Sequence, residues 1–223
     1  MSSGTLPRLI TYDTSICNLS GGIISTIDSY GDSEINLSGQ VEVSDLNASN
    51  SSSINSVSAD ITIGNVILYG SSTVNILDGT ITGSFYSFWD KGVGNATINI
   101  SGGTMDRLDL HGSSIANISG GIINSISVGR ASDRGSLFNI IGYNLVSNPY
   151  EGAMQEGQVR GYWNDDTFFT IDLDQGTYSS VVLYDGVIPE SCENPPGSDL
   201  NNDCKVNFQD FSSMASEWLV DGS

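Results

Sequence analysis

An Asn flanked by apolar residues recurs seven times down this chain, at Asn18, Asn36, Asn55, Asn75, Asn99, Asn117 and Asn139, with Ser56 replacing the second apolar flank after Asn55. The intervals are 18, 19, 20, 24, 18 and 22 residues, close to one turn of a β-solenoid. The surroundings repeat as well. Ser15-Ile-Cys-Asn-Leu-Ser-Gly-Gly-Ile-Ile-Ser-Thr-Ile27 matches Ser114-Ile-Ala-Asn-Ile-Ser-Gly-Gly-Ile-Ile-Asn-Ser-Ile126 at most positions. A fixed period of this size means one supersecondary unit stacked on itself, because no single copy can bury its own apolar face.

Within a repeat the alternation is that of a strand. In Thr97-Ile-Asn-Ile-Ser101, Ile98 and Ile100 face one way and Thr97, Asn99 and Ser101 the other. Gly102-Gly103 then supplies a turn tolerant of positive φ. A second apolar run follows, with Met105, Leu108 and Leu110, and recurs as Ile24 and Ile27 and as Ile123, Ile126 and Val128. The expectation is an all-β parallel β-helix of about seven turns over residues 10–145. Each turn would hold two or three short parallel strands stacked at about 4.8 Å, giving a rod on the order of 35 Å long.

The Asn column admits two readings. It is either a ladder of amides hydrogen-bonded from coil to coil, or a row of binding or glycosylation positions, since Asn18, Asn36, Asn99 and Asn117 stand in Asn-X-Ser/Thr sequons. The repeat itself generates those sequons, which favours the ladder.

From about Ser136 the period fades. Residues 158–163, 167–173 and 178–185 alternate as strands, with turn signals at Asn164-Asp165-Asp166 and Gln175-Gly176 and with Tyr162, Trp163, Phe168, Phe169, Tyr178 and Tyr184 among them. An open solenoid end exposes unpaired edges and core, so residues 146–188 are expected to form a β-rich cap. Residues 189–198, with Pro189, Pro195 and Pro196, read as a linker.

Charge narrows the partners. Lys and Arg number 7 against 26 Asp and Glu, for a net charge of −19. No basic cluster exists to neutralise phosphates, which argues against nucleic acid and against an anionic membrane surface. No stretch approaches the roughly 18 apolar residues of a membrane span. The start, Met1-Ser-Ser-Gly-Thr-Leu-Pro-Arg8, lacks the basic end and apolar core of a signal peptide. It reads as a processed or truncated N-terminus, and secretion to the exterior or cell surface is inferred from composition. Fourteen of the acids follow residue 150, a concentration that suggests calcium. Of the three cysteines, Cys17 occupies the place of Ala116 in another copy and reads as a small core thiol. Cys192 and Cys204 flank a Pro-Pro-Gly turn; if they close a loop, the compartment is oxidising.

Residues 199–210 carry the clearest chemistry. Asp199, Asn201, Asp203, Asn207 and Asp210 place side-chain oxygens first, third, fifth, ninth and twelfth, with Lys205 seventh to give its backbone carbonyl. That spacing wraps a loop around Ca2+. Phe211, Met214, Ala215, Trp218 and Leu219 then fall on one face of an amphipathic helix. Residues 199–223 thereby resemble a dockerin repeat, the calcium-binding module that attaches secreted proteins to cohesin domains in polysaccharide-degrading assemblies. Three departures stand out: Asn202 and Cys204 replace the family's usual glycines, one repeat is present where the family pairs two, and Phe208 and Gln209 occupy places that often contact the cohesin. The run from Cys192 through Asp-Leu-Asn-Asn-Asp-Cys204 is similar to the C-terminal modules of secreted planctomycete-type parallel β-helix proteins. In that setting a Cys192–Cys204 disulfide would substitute for part of the missing repeat. The resemblance implies a cohesin-like or cell-surface partner.

Two further features bear on activity. Asp106, Arg107, Asp109 and His111 form a mixed-charge group, read as a solvated surface cluster. Some 12 to 14 residues after successive Asn positions stand Tyr30, Tyr69, Trp89, His111 and Arg130, often before Gly-X-Ser. Aromatics stacked along a rod can bind sugar rings, and 84–91 reads as an insertion adding more of them. Tyr30, Tyr69, Trp89 and His111 are therefore the candidate ligand-binding residues, beside the plainer reading of corner cover. The functional expectation is a non-catalytic, carbohydrate-associated or adhesive solenoid anchored through its calcium module. The alternatives are a polysaccharide-degrading lyase or hydrolase with the same anchor and an inert spacer.

Overall fold

The computed structural model describes residues 4–88, 95–129, 135–148, 157–174 and 176–186. The chain divides into two compact units, Met1–Asp185 and Gly186–Ser223. The first is a β-solenoid of about seven turns. Its strands are β1 Thr5–Thr11, β2 Ile16–Ser29, β3 Glu34–Ala48, β4 Ser53–Ser56, β5 Thr62–Tyr69, β6 Thr73–Ile76, β7 Thr80–Ile81, β8 Phe85–Phe88, β9 Thr97–Leu110, β10 Ile115–Val128, β11 Leu137–Asn148, β12 Gly157–Tyr162, β13 Phe168–Leu173 and β14 Val181–Asp185. Pairing from β1 through β10 is parallel throughout.

Each coil presents three faces, which answers the choice between two and three strands per turn. The first face carries the Asn column: Asn18, Asn36, Asn55, Asn75, Asn99, Asn117 and Asn139 are direct cross-strand partners. Their neighbours point inward. Ile35, Ile54, Val74, Ile98, Ala116 and Phe138 make one buried column and Leu37, Ile76, Ile100, Ile118 and Ile140 the other. The second face stacks residues 23–24, 42–43, 62–63, 80–81, 104–105 and 122–123. The third stacks residues 27–29, 46–48, 66–68, 85–87, 108–110 and 126–128, and sends Ile27, Leu46, Val66, Phe85, Leu108 and Ile126 into the same core. Each such side chain contributes about 1.5–3 kcal/mol by leaving water, but only because the coils above and below cover it.

The bend from the first face to the second needs glycine for two reasons at once. Gly121 has φ 88°, and a Cβ placed there would lie 2.7 Å from the carbonyl oxygen of Gly102 in the coil beneath. The Gly-Gly pairs of the repeat are thus set by backbone stacked directly on backbone.

Residues 84–88 do not form an insertion. Phe85 and Tyr86 pair in register with Val66 and Ile67 on one side and with Leu108 and Asp109 on the other, and Phe85 is buried. The aromatic run is an ordinary rung of the third face. Residues 89–91 of the expected insertion lie outside the described residues. Cys17 is only half-buried, because it belongs to the inward column at its first rung. Pro7 lies in β1, whose only described partner is β2; a residue without an N–H is tolerated on such an edge strand.

At the other end the pairing changes. β11 continues the Asn rung at Asn139 and then pairs antiparallel with β12, which pairs antiparallel with β13. β13 returns to the third face beside β10, with Ser125 opposite Asp172, and β14 lies parallel on β11, with Val182 opposite Asn139. Trp163, Phe169, Ile171 and Leu173 join the apolar interior. The Trp163 and Phe169 rings stack at 3.6 Å, and the Trp163 Nε1 donates to the carbonyl oxygen of Gly121 at 2.9 Å.

Candidate functional site

The bend from the third face back to the first is built by a four-residue corner. It reads Tyr12-Asp-Thr-Ser15, Tyr30-Gly-Asp-Ser33, Ser49-Asn-Ser-Ser52, Tyr69-Gly-Ser-Ser72 and His111-Gly-Ser-Ser114 in successive described copies. The second residue is left-handed each time: Asp13 (φ 56°), Gly31 (72°), Asn50 (62°), Gly70 (65°) and Gly112 (73°). Gly, Asn and Asp are the residues that take this conformation at least cost. The fourth residue is a serine, buried at Ser33, Ser52, Ser72 and Ser114. A serine is small enough for the inside of the bend and carries a hydroxyl for the backbone groups trapped there. Ser114 Oγ donates to the His111 carbonyl at 2.9 Å, and Ser52 Oγ to that of Ser29 at 3.3 Å. Among the described residues Ser72 Oγ alone is a buried side-chain oxygen with no hydrogen-bond partner.

This corner fixes where the first residue points. The preceding positions Ala48, Leu68 and Leu110 are buried, so Tyr12, Tyr30, Ser49, Tyr69 and His111 alternate outward in one column. The backbone hydrogen bonds confirm the register: the Tyr30 N–H donates to the Thr11 carbonyl at 3.0 Å and the Ser49 N–H to that of Ser29 at 2.9 Å. Of the four residues expected to bind a ligand, Tyr30, Tyr69 and His111 share this column. Trp89 lies outside the described residues, as does Arg130. Two members of the column are missed by the sequence reading, Tyr12 and Phe88, the latter being the cross-strand partner of Tyr69; Tyr12 is the instructive one. Its own Tyr-x-x-Ser spacing would have found it, but it precedes the first Asn and so escapes a count that starts from the triplets. Tyr12 is 58% exposed and stacks on Tyr30, with ring centroids 5.3 Å apart and planes 13° from parallel. The His111 N–H donates to Ser87 Oγ at 2.8 Å, so that position is tied to the coil beneath.

The mixed-charge group around Arg107 is a fastening. Arg107 Nε meets Asp109 at 2.8 Å and its Nη2 meets Asp174 at 2.6 Å, which links β9 to the residue just past β13. The hydrogen bond to Asp109, with Asp174 adding to it, raises the Arg107 guanidinium above its ordinary value. Asp106 accepts from Asn124 at 2.9 Å. Arg8 does the same work at the opposite end, donating to the nearly buried Asp28 at 2.6 Å, and its pKa is likewise raised by that hydrogen bond. Asp28 also accepts from Asn47 at 2.9 Å.

A second aromatic group stands on the antiparallel strands. Tyr143 and Tyr162 stack at 5.4 Å, and Phe168, 57% exposed, meets Tyr162 edge-on at 5.3 Å. The Tyr143 hydroxyl donates to Asp166, a left-handed residue (φ 67°) at the tip of the β12–β13 hairpin. Burial, then that hydrogen bond, push the Tyr143 phenol up to about 12.

The Asn column is closed upon itself. Each amide donates to the previous one: Asn36 to Asn18 at 2.9 Å, Asn55 to Asn36 at 2.7 Å, Asn75 to Asn55 at 2.6 Å, and Asn99, Asn117 and Asn139 to their predecessors at 2.8 Å. This is the ladder reading of the sequence.

The expected calcium ligands Asp199, Asn201, Asp203, Lys205, Asn207 and Asp210, and the pair Cys192 and Cys204, lie outside the described residues. Among the described residues no group of three or more His, Cys, Asp or Glu is placed to hold a metal ion, and no helix is long and apolar enough to cross a membrane. No protein-family model, curated protein or solved structure matches this chain.

Proposed function

We propose that this protein is a non-catalytic, secreted or surface-attached solenoid that adheres to carbohydrate along its aromatic corner. The observation that carries the reading is the outward column of Tyr12, Tyr30 and Tyr69, held by a repeated corner whose left-handed second residue, and at Tyr30 and Tyr69 a buried serine, fix the backbone. Aromatic rings offer apolar faces to the C–H faces of sugars while their hydroxyls stay wet. A rigid scaffold keeps the entropy cost of presenting them low. The acidic charge of −19 favours neutral over acidic glycans.

The strands β11 to β14 serve as the cover of the last coil, with Trp163 and Phe169 laid over its apolar interior. The anchor rests on the sequence of residues 199–223, where Asp199, Asn201, Asp203, Asn207 and Asp210, with the Lys205 carbonyl, would hold Ca2+ and the following apolar helix face would meet a cohesin-like partner.

Sedimentation with insoluble neutral polysaccharides tests the adhesion. The protein is expected in the pellet, and the Tyr30→Ala/Tyr69→Ala double variant in the supernatant. New reducing ends or unsaturated products would show an enzyme instead. Calorimetry with calcium tests the anchor separately, and silence at millimolar calcium with Cys192 and Cys204 oxidised would remove it.

A further inference from the structure

We infer that the corner column holds a one-ring slot, between Tyr30 and Tyr69 and floored by Ser49, that takes a single neutral pyranose unit edge-first. The inference rests on the carbohydrate reading and makes it specific. It starts from the interruption of the column.

Tyr12 and Tyr30 occupy neighbouring coils, and their rings stack at 5.3 Å with planes 13° from parallel. These two rings therefore face one another along the rod rather than lying flat on its surface, and the slot takes the Tyr69 ring to follow the same corner. The next rung is Ser49, one residue past the Ala48–Leu68 pair of β3 and β5, and the rung after it is Tyr69. Tyr30 and Tyr69 are thus two coils apart, about 9.6 Å, at the usual strand spacing of about 4.8 Å. A ring placed over Ser49 would lie one coil spacing from each neighbour. That is inside the centroid range of about 4.5–7 Å in which stacked rings attract. The column has the rungs for a continuous ring stack and lacks one ring.

The floor and rim select the occupant. Ser49 is half-buried, and its N–H is already engaged by the Ser29 carbonyl at 2.9 Å and by Ser52 Oγ at 3.1 Å. The backbone of this rung is therefore fixed, and its side chain lies on the outward side of the alternation. The corner residues beside it, Asn50 and Ser51 on its own coil and Asp32 on the coil beneath, are exposed and polar. Two apolar faces with hydrogen-bonding groups around the edge suit a pyranose, whose C–H faces are apolar and whose hydroxyls ring its rim. A plain aromatic ring would leave that rim unused. Asp32 at the mouth disfavours an acidic sugar. Because the slot is one ring wide, it receives a chain end or a branch in preference to the flat side of a long chain.

The experiment fills the slot. Titration calorimetry of the full chain with neutral oligosaccharides, chosen as fragments of the polysaccharides that retain the protein, would compare wild type with Ser49→Tyr, Tyr30→Ala, Tyr69→Ala and Tyr184→Ala. Ser49→Tyr is expected to lower affinity at least tenfold by completing the stack, and Tyr30→Ala and Tyr69→Ala to do so by removing a wall. Tyr184→Ala, at an exposed tyrosine of β14 outside the corner column, should change it by no more than about twofold. Equal or stronger binding by Ser49→Tyr would overturn the slot and leave a continuous adhesive stripe. Retention on polysaccharide that none of the four substitutions alters would overturn both the slot and the stripe. No retention by wild type on any neutral polysaccharide would overturn the carbohydrate reading itself. Thermal melts establish that each variant is folded, and Tyr69→Ala keeps the test alive should Ser49→Tyr fail to fold.

Discussion

Two columns run the length of this rod at the same spacing, and they differ in completeness. The Asn column has no gap in seven rungs, and every amide bonds to the one before it. The corner column changes residue from rung to rung: Tyr, Tyr, Ser, Tyr, then His111 beyond Phe88. A perfect column satisfies itself and leaves little for a ligand. An imperfect one, held by a perfect backbone, leaves surface and gaps. In a solenoid, regularity therefore points to structure and its local failure to a candidate site.

The sharpest attack on that contrast is to damage the backbone both columns share. Gly121→Ala puts a Cβ 2.7 Å from the Gly102 carbonyl oxygen at φ 88°. It should cost about 2–4 kcal/mol, read as a lowered urea midpoint. Next comes the Asn column itself. Asn75→Ala strands the Asn55 oxygen and the Asn99 amide, a loss of about 1–3 kcal/mol. Asn18→Ala at the first rung strands one exposed group and should cost less than about 0.5 kcal/mol. Equal losses at the two rungs would show that the ladder is decoration. The corner column should answer in the opposite sense: Tyr69→Ala should shift stability by about 1 kcal/mol or less while removing retention on polysaccharide.

The smallest effect concerns the antiparallel end. Tyr143 is raised from 10.0 to about 12, so its neutral form is favoured in the fold. Its contribution is fully present below pH 10 and is lost as pH climbs towards 12. Melting temperatures between those limits should fall more steeply for wild type than for Tyr143→Phe, and parallel curves would dismiss the Tyr143–Asp166 contact.

Legibility followed repetition. The triplets, the Gly-Gly bends and the inward Ile and Leu columns could be read because seven copies vote on each position. A single copy would have left strand and turn ambiguous. Tyr12 was missed because it precedes the first triplet. Of the insertion expected at 84–91, the described residues 84–88 are an ordinary rung: a long interval does not say where its surplus sits, and the pairing and burial of Phe85 show only that it is not there. The fastening of Arg107 to Asp174 joins residues 67 positions apart in the chain, and no local pattern anticipates it.

What the sequence determined by itself was the period, and with it the repeated unit: copies that cannot bury their own apolar face must stack on one another to do so. What only the tertiary structure decided was which coil meets which, and at what offset. That offset puts Ser49 between Tyr30 and Tyr69 and swings β13 back beside β10. The reason is physical. Alternation within a strand is set by neighbours along the chain, whereas stacking between coils depends on turn lengths and close backbone contacts that only the folded molecule brings together.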